Sequence, residues 1–146
     1  MKLETRFRIL NAARSMVGEL GVERVTMRGI AARANITAPA IYKHFRNKRH
    51  LLDEVIATGY TELGLAMNLG EDLEDMLRQV LVFADAQPNL TRMMLAPHTD
   101  DHLPIRKLQR HFQQLRKPNP RWNAQVLWAQ LRGQLTMRAP PQLLAA

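Results

Sequence analysis

Cysteine is absent from this chain of 146 residues. Its absence removes disulfides, thiolate metal sites and cysteine nucleophiles together, and it fits a reducing compartment. No apolar run approaches the roughly 20 residues of a membrane-spanning helix, so no membrane partner is expected. The start, Met1-Lys2-Leu3-Glu4-Thr5-Arg6, mixes charges of both signs and lacks the apolar centre of an export signal, so the expected location is cytoplasmic. Sustained alternation of apolar and polar residues is missing too, and β-branched residues are scattered, so no strand is expected. There is no glycine-rich phosphate loop; Gly18-Glu19-Leu20-Gly21 reads as a helix end. With no convincing acid–base pair either, no catalytic residue, no cofactor and no enzyme are expected.

What is present is charge, unevenly placed. The net charge is +8 at neutral pH, which favours an anionic partner such as nucleic acid. Residues 1–60 carry a basic excess, 61–101 an acidic one, and 102–146 no acidic side chain at all. The simplest account of the second and third segments is that they neutralise each other.

The apolar periodicity is helical throughout and predicts an all-α fold. A first helix runs from about Leu3 to Leu20, with Leu3, Phe7, Leu10, Met16, Val17 and Leu20 on one face and Gly21 ending it in a left-handed cap. Thr26 caps a short helix whose inner face is Ile30, Ala31 and Ala34. Asn35 occupies a tight turn that asks for the left-handed conformation. Thr37 caps a second short helix, with Pro39 in its first turn and Ile41 and Phe45 inward, ending near Arg46-Asn47. Asn47 caps a long helix, 48–69, striped by Leu51, Leu52, Val55, Ile56, Leu63 and Met67. A fifth helix spans Glu71 to Ala86 and is stopped by Pro88; a short apolar segment, Leu90 to Leu95, ends at Pro97. Two further helices follow Pro104 and Arg121. The expected division is a DNA-binding domain over 1–50 and a helical dimerisation and candidate ligand-binding domain over 51–146, connected by helix 48–69.

Two short helices joined by a tight turn and braced by longer ones make a helix-turn-helix. The second short helix points to double-stranded DNA. Ala38, Pro39 and Ala40 are small enough for close approach to a base edge or a thymine methyl. Tyr42, Lys43 and His44 project outward opposite Ile41 and Phe45, with donors that reach phosphate oxygens. The next helix starts Lys48-Arg49-His50. Cations at a helix N-terminus are unfavourable unless an anion binds there, and a DNA phosphate is the natural anion.

The stretch from Val25 to Leu52, with its Thr-capped Arg-x-Ile-Ala helix, short turn, Tyr-x-His-Phe and Lys-x-x-Leu-Leu, resembles the DNA-binding signature of the tetracycline-repressor (TetR) family. The resemblance covers about Thr5 to Gly59. It implies an all-helical homodimer that represses transcription at a palindromic operator, with the later helices forming the dimerisation and regulatory domain. Carried over by position, Thr26, Arg28, Thr37, Tyr42, His44 and Lys48 hold phosphates, while Ala38, Pro39, Ala40 and Lys43 face bases, and Arg28 also reaches a base. Gly29 stands where the family often has an acidic residue, and Asn35 where it usually has Gly; each departure is expected to cost about 0.5–1 kcal/mol of local stability. Leu127-Trp128-Ala129-Gln130-Leu131-Arg132-Gly133 is similar to a pattern found late in many members.

In the C-terminal half two readings stand side by side. Phe83, Met93, Met94, Phe112 and Trp128 either line the pocket of a small-molecule effector or form plain core. Ile105, Leu108, Phe112 and Leu115 on one helix and Leu127, Leu131 and Leu135 on the next are expected to close a four-helix dimer interface. Pro97-His98-Thr99-Asp100-Asp101-His102 contains metal-ligand types, but the prolines at 97 and 104 favour a polar loop, and no metal is expected. The alternative to a repressor is a nucleoid-associated DNA-binding protein that uses the same head without an inducer.

Overall fold

The protein is described by a computed structural model covering residues 2–69 and 72–95, with Gly133 beyond them. All secondary structure among the described residues is helical. The order is α1 (Lys2–Leu20), a 3-10 turn (Val22–Arg24), α2 (Met27–Arg33), α3 (Ala38–Ile41), α4 (Lys48–Asn68), α5 (Leu73–Ala86) and α6 (Pro88–Met94). The chain divides into two compact units, Met1–Gly59 and Tyr60–Ala146, and α4 runs through the division.

In the first unit α1 presents Ile9, Ala12, Ala13, Met16 and Val17 to the core. Of the residues that the periodicity assigns to that face, Met16 and Val17 are buried and Leu10 is half-buried, but Leu3 is 82%, Phe7 63% and Leu20 41% exposed. Helix α1 packs on α2, with Met16 lying against Gly29. Gly21 closes the helix with φ 78°, and its N–H bonds the Val17 carbonyl at 3.0 Å. Its ψ of 157° lies outside the left-handed helical region, so the positive φ is as the sequence predicts but the cap is of a different shape. Val25, Ile30, Ile41, Leu51 and Val55 are fully buried, each contributing about 1.5–3 kcal/mol through removal from water.

The turn between α2 and α3 depends on Asn35, at φ 56°. Its N–H bonds the Ala32 carbonyl at 3.1 Å, and the Ile36 N–H bonds that of Ala31 at 3.0 Å. A residue with an ordinary Cβ is disfavoured there by roughly 1–2 kcal/mol. Asn35→Ala is therefore expected to lower unfolding stability by about 1 kcal/mol, and Asn35→Gly to leave it unchanged or raise it. Urea unfolding of the two variants checks this; equal stability for both would show that the turn is not strained.

In the second unit Tyr60, Leu63 and Met67 of α4, Met76, Val80, Phe83 and Ala84 of α5, and Leu90, Met93 and Met94 of α6 are buried. Helix α5 starts two residues later than the sequence suggests, because Asp72 is its cap and accepts the Asp75 N–H at 2.9 Å. Pro88 does more than stop α5: it sits in the first turn of α6, where a missing N–H is harmless, so the short apolar segment 90–95 lies largely within a helix. The Tyr60 hydroxyl donates to the Met94 carbonyl at 2.7 Å, satisfying an acceptor at the end of α6 that the helix leaves open.

Candidate nucleic-acid interface

The residues assigned to DNA from the sequence all fall in the first unit, on α2, the turn, α3 and the start of α4. Thr26 adopts extended backbone before α2, and its hydroxyl oxygen accepts the Gly29 N–H at 3.1 Å. The glycine has a local reason. A Cβ at position 29 would stand 3.0 Å from Met16 Cε and 3.1 Å from Thr26 Oγ1, so a side chain there requires the Met16 methyl end to give way by a few tenths of an ångström. Arg28 is exposed beside it.

Thr37 sits at the cap position of α3 but makes no side-chain capping bond, and it is exposed. Pro39 is exposed, and Ala38 and Ala40 are half-buried. Helix α3 is shorter than expected and ends at Ile41. Tyr42, Lys43 and His44 lie in the turn that continues it, through bonds from Lys43 N to Ala40 O, His44 N to Ile41 O and Phe45 N to Ile41 O at 3.0–3.2 Å. Burial of Ile41 and Phe45, 0% and 1% exposed, turns Tyr42 (55% exposed) and Lys43 to the outside. His44 is half-buried.

At the start of α4 two details depart from a row of free cations. Lys48 is half-buried and its Nζ donates to the Val22 carbonyl at 3.1 Å, which ties α4 to the 3-10 turn. An ammonium has three donors, so two remain for an anion. The His50 N–H is taken by Asn47 Oδ1 at 2.9 Å, which makes Asn47 the cap that the sequence suggests. Arg46 and Arg49 are exposed on either side. Away from this row, Arg33 at the end of α2 bonds Glu19 at 2.6 Å and Ser15 Oγ at 3.0 Å. The Arg33 bond, followed by that of Ser15, holds the Glu19 carboxyl below its ordinary value, and the same pairing raises Arg33.

Sequence reasoning misses one group altogether. Arg6 of α1 reaches the His44 carbonyl at 2.8 Å and pairs with Glu54 of α4. Partners 38 and 48 residues apart leave no local signal in a single sequence.

In the second unit Phe83 and Met94 are buried and line a cavity of about 10 Å³ with Tyr60, Leu63, Val80, Thr91 and Leu95. Met93 is buried but does not line it. Phe112, Trp128 and the expected interface residues Ile105, Leu108, Leu115, Leu127, Leu131 and Leu135 lie outside the described residues, as does the segment from Pro97 to His102. Among the described residues no group of His, Asp or Glu could hold a metal, and no helix is long and apolar enough to cross a membrane. Thr91 is 8% exposed, and its Oγ1 has no hydrogen-bond partner among the described residues. An unpartnered buried hydroxyl costs about 1–3 kcal/mol. Thr91→Val is therefore expected to raise stability by about 1 kcal/mol, read as a higher melting temperature; a lower one would show that the hydroxyl has a partner in solution.

Residues 9–55 match the family described as bacterial regulatory proteins, tetR family. An uncharacterised HTH-type transcriptional regulator of Mycobacterium tuberculosis is 29% identical over 100 residues, covering 68% of this chain and 53% of the relative. The class A tetracycline repressor protein of Escherichia coli is 47% identical over 45 residues, 31% of this chain and 21% of the repressor. Among solved structures, a TetR-family transcriptional regulator from Haemophilus influenzae superposes with a TM-score of 0.65 at 18% identity, over 96% of this chain and 87% of that one. At that identity the likeness concerns the fold. The match to the mycobacterial relative spans about half of that protein's length.

Proposed function

We infer that the chain is a tetR-family regulator, since residues 9–55 match that family, and that it is a sequence-specific repressor acting as a homodimer on a palindromic operator. The observation that carries the reading is the joint exposure of Tyr42 and Lys43 beside an α4 start loaded with Lys48 and Arg49. Small Ala38, Pro39 and Ala40 are assigned to base edges together with Lys43. Thr26, Arg28, Thr37, Tyr42, His44 and Lys48 are assigned to phosphates. For His44, the half-buried ring fits a contact made from the turn rather than from a helix face.

A dimer follows from the same assignment. One helix-turn-helix reads only a half-site, and two-fold pairing matches a palindrome with half-sites one helical turn or a multiple apart. Sedimentation at micromolar concentration tests it: a dimer is expected, and a monomer contradicts it. For the second unit, Phe83, Met93 and Met94 are read as core, since a cavity of about 10 Å³ holds one water at most while small-molecule sites need about 300 Å³ or more. An effector of that size does not fit this cavity among the described residues. Calorimetric screening with drug-like and acyl compounds tests this: binding coupled to a change in operator affinity supports an effector, and binding that leaves the affinity unchanged contradicts it.

Genome-wide binding separates repressor from nucleoid-associated protein. A few sites at promoters, with increased transcription on deletion, are expected. Many dispersed sites without transcriptional effect would favour the architectural role.

A further inference from the structure

Phe45 sits at the centre of a circuit of polar contacts. From one side Arg6 Nη1 donates to the His44 carbonyl at 2.8 Å, and the guanidinium carbon stands 4.3 Å from the Phe45 ring centroid. Arg6 Nη2 pairs with Glu54. Glu54 Oε1 lies 3.3 Å from His50 Nε2, and His50 Nδ1 accepts the Arg46 N–H at 3.3 Å. The His50 ring is tilted against that of Phe45, with centroids 5.6 Å apart. Since Nδ1 accepts, the proton of the neutral ring sits on Nε2, the nitrogen 3.3 Å from Glu54 Oε1.

The circuit holds the backbone of residues 44 and 46, which flank Phe45 in the chain. That segment joins the exposed Tyr42 and Lys43 to the cationic start of α4, so its placement sets the spacing between the two parts of the DNA-facing surface. The side chains of Arg6, Glu54 and His50 are about a third exposed, at 32%, 30% and 34%. Pairs this wet add little to stability. Their geometry is nonetheless specific, because a planar guanidinium meets a carbonyl, a carboxylate and a ring face together and a lysine cannot.

We propose that Arg6 and Glu54 are positioning residues for DNA binding: they hold the segment between Tyr42 and Lys48 in its DNA-competent arrangement without touching DNA. The inference rests on the DNA-binding function proposed above. It makes a prediction opposite in sign to that of simple charge. Glu54 is anionic, and if charge alone mattered its neutralisation would tighten binding to a polyanion. Positioning requires that neutralisation weaken it.

The experiment uses the full chain, the variants Arg6→Gln, Glu54→Gln and their combination, and the duplex that the wild-type chain selects most strongly from a random pool. Affinity is measured across a salt series and melting temperature alongside. Each single variant is expected to weaken binding roughly five- to tenfold, and the double variant no more than about either alone, as for members of one network. The salt slope and melting temperature stay close to wild type. Arg6→Lys, which keeps the charge but loses the fork, restores only part of the affinity. Tighter binding by Glu54→Gln, additive losses in the double variant, or a salt slope reduced by about 1 in Arg6→Gln each overturn the proposal, the last by making Arg6 a direct phosphate contact. Where a glutamine variant fails to fold, Arg6→Lys and Glu54→Asp complete the same cycle, and wild-type affinity in both overturns it equally. A wild-type chain that selects no duplex instead overturns the DNA-binding function itself.

Discussion

Phe45→Ala is expected to destabilise the first unit by about 3–5 kcal/mol, enough to unfold much of it, and to abolish DNA binding with it. The ring is 1% exposed and stands among the largest fully buried side chains. It follows directly on Tyr42, Lys43 and His44, and both the Arg6 guanidinium and the His50 ring lie against it. Truncation leaves a cavity, and it also removes the surface on which the guanidinium and imidazole rest. Chemical denaturation gives the stability and a duplex titration gives the binding. Phe45→Leu retains most of the apolar volume and is expected to fold with reduced affinity. If Phe45→Ala unfolds at the wild-type denaturant concentration, the burial described here does not hold in solution.

The second large effect is a contrast between two lysines. On the proposed assignment Lys43 faces a base edge and Lys48 a phosphate. Lys43→Ala is expected to cost about 1–3 kcal/mol on the preferred sequence and to relax the preference at one position of each half-site. Lys48→Ala is expected to weaken binding on all sequences alike and to reduce the salt slope by about 1. Its bond to the Val22 carbonyl complicates the reading, since its loss also loosens the tie to the 3-10 turn. Lys48→Gln separates the two, because its amide N–H can still donate toward the Val22 carbonyl while the charge is removed. An unchanged salt slope in both variants means that Lys48 is a structural tether and no phosphate ligand.

What could be read from the sequence was local. Thr26, Asn35 and Asn47 perform the capping and turn roles that their types suggest, because a cap or a left-handed turn involves residues three or four apart. On α1 the periodicity finds Met16 and Val17 but weights the large Leu3, Phe7 and Leu20 over Ile9, Ala12 and Ala13, which complete the buried face. At Gly29 a side chain would press on the Met16 methyl end. The length of α3 was also overestimated, since the 42–45 turn continues its inward and outward alternation without being helix. Of the candidate site, Tyr42 and Lys43 were legible as outward, because Ile41 and Phe45 fix the opposite face. The tether of Lys48 and the Arg6–Glu54 pair were not, since both join residues far apart in the chain.

On the proposed function this surface reads a specific double-stranded sequence. Selection from a random duplex pool by the full chain tests it most directly. Enrichment of one palindromic motif is expected, with half-sites about one helical turn, roughly 10 base pairs, or a multiple apart, and with loss of that enrichment in Lys43→Ala. Retention of duplexes without any enriched motif, or of none, would contradict it.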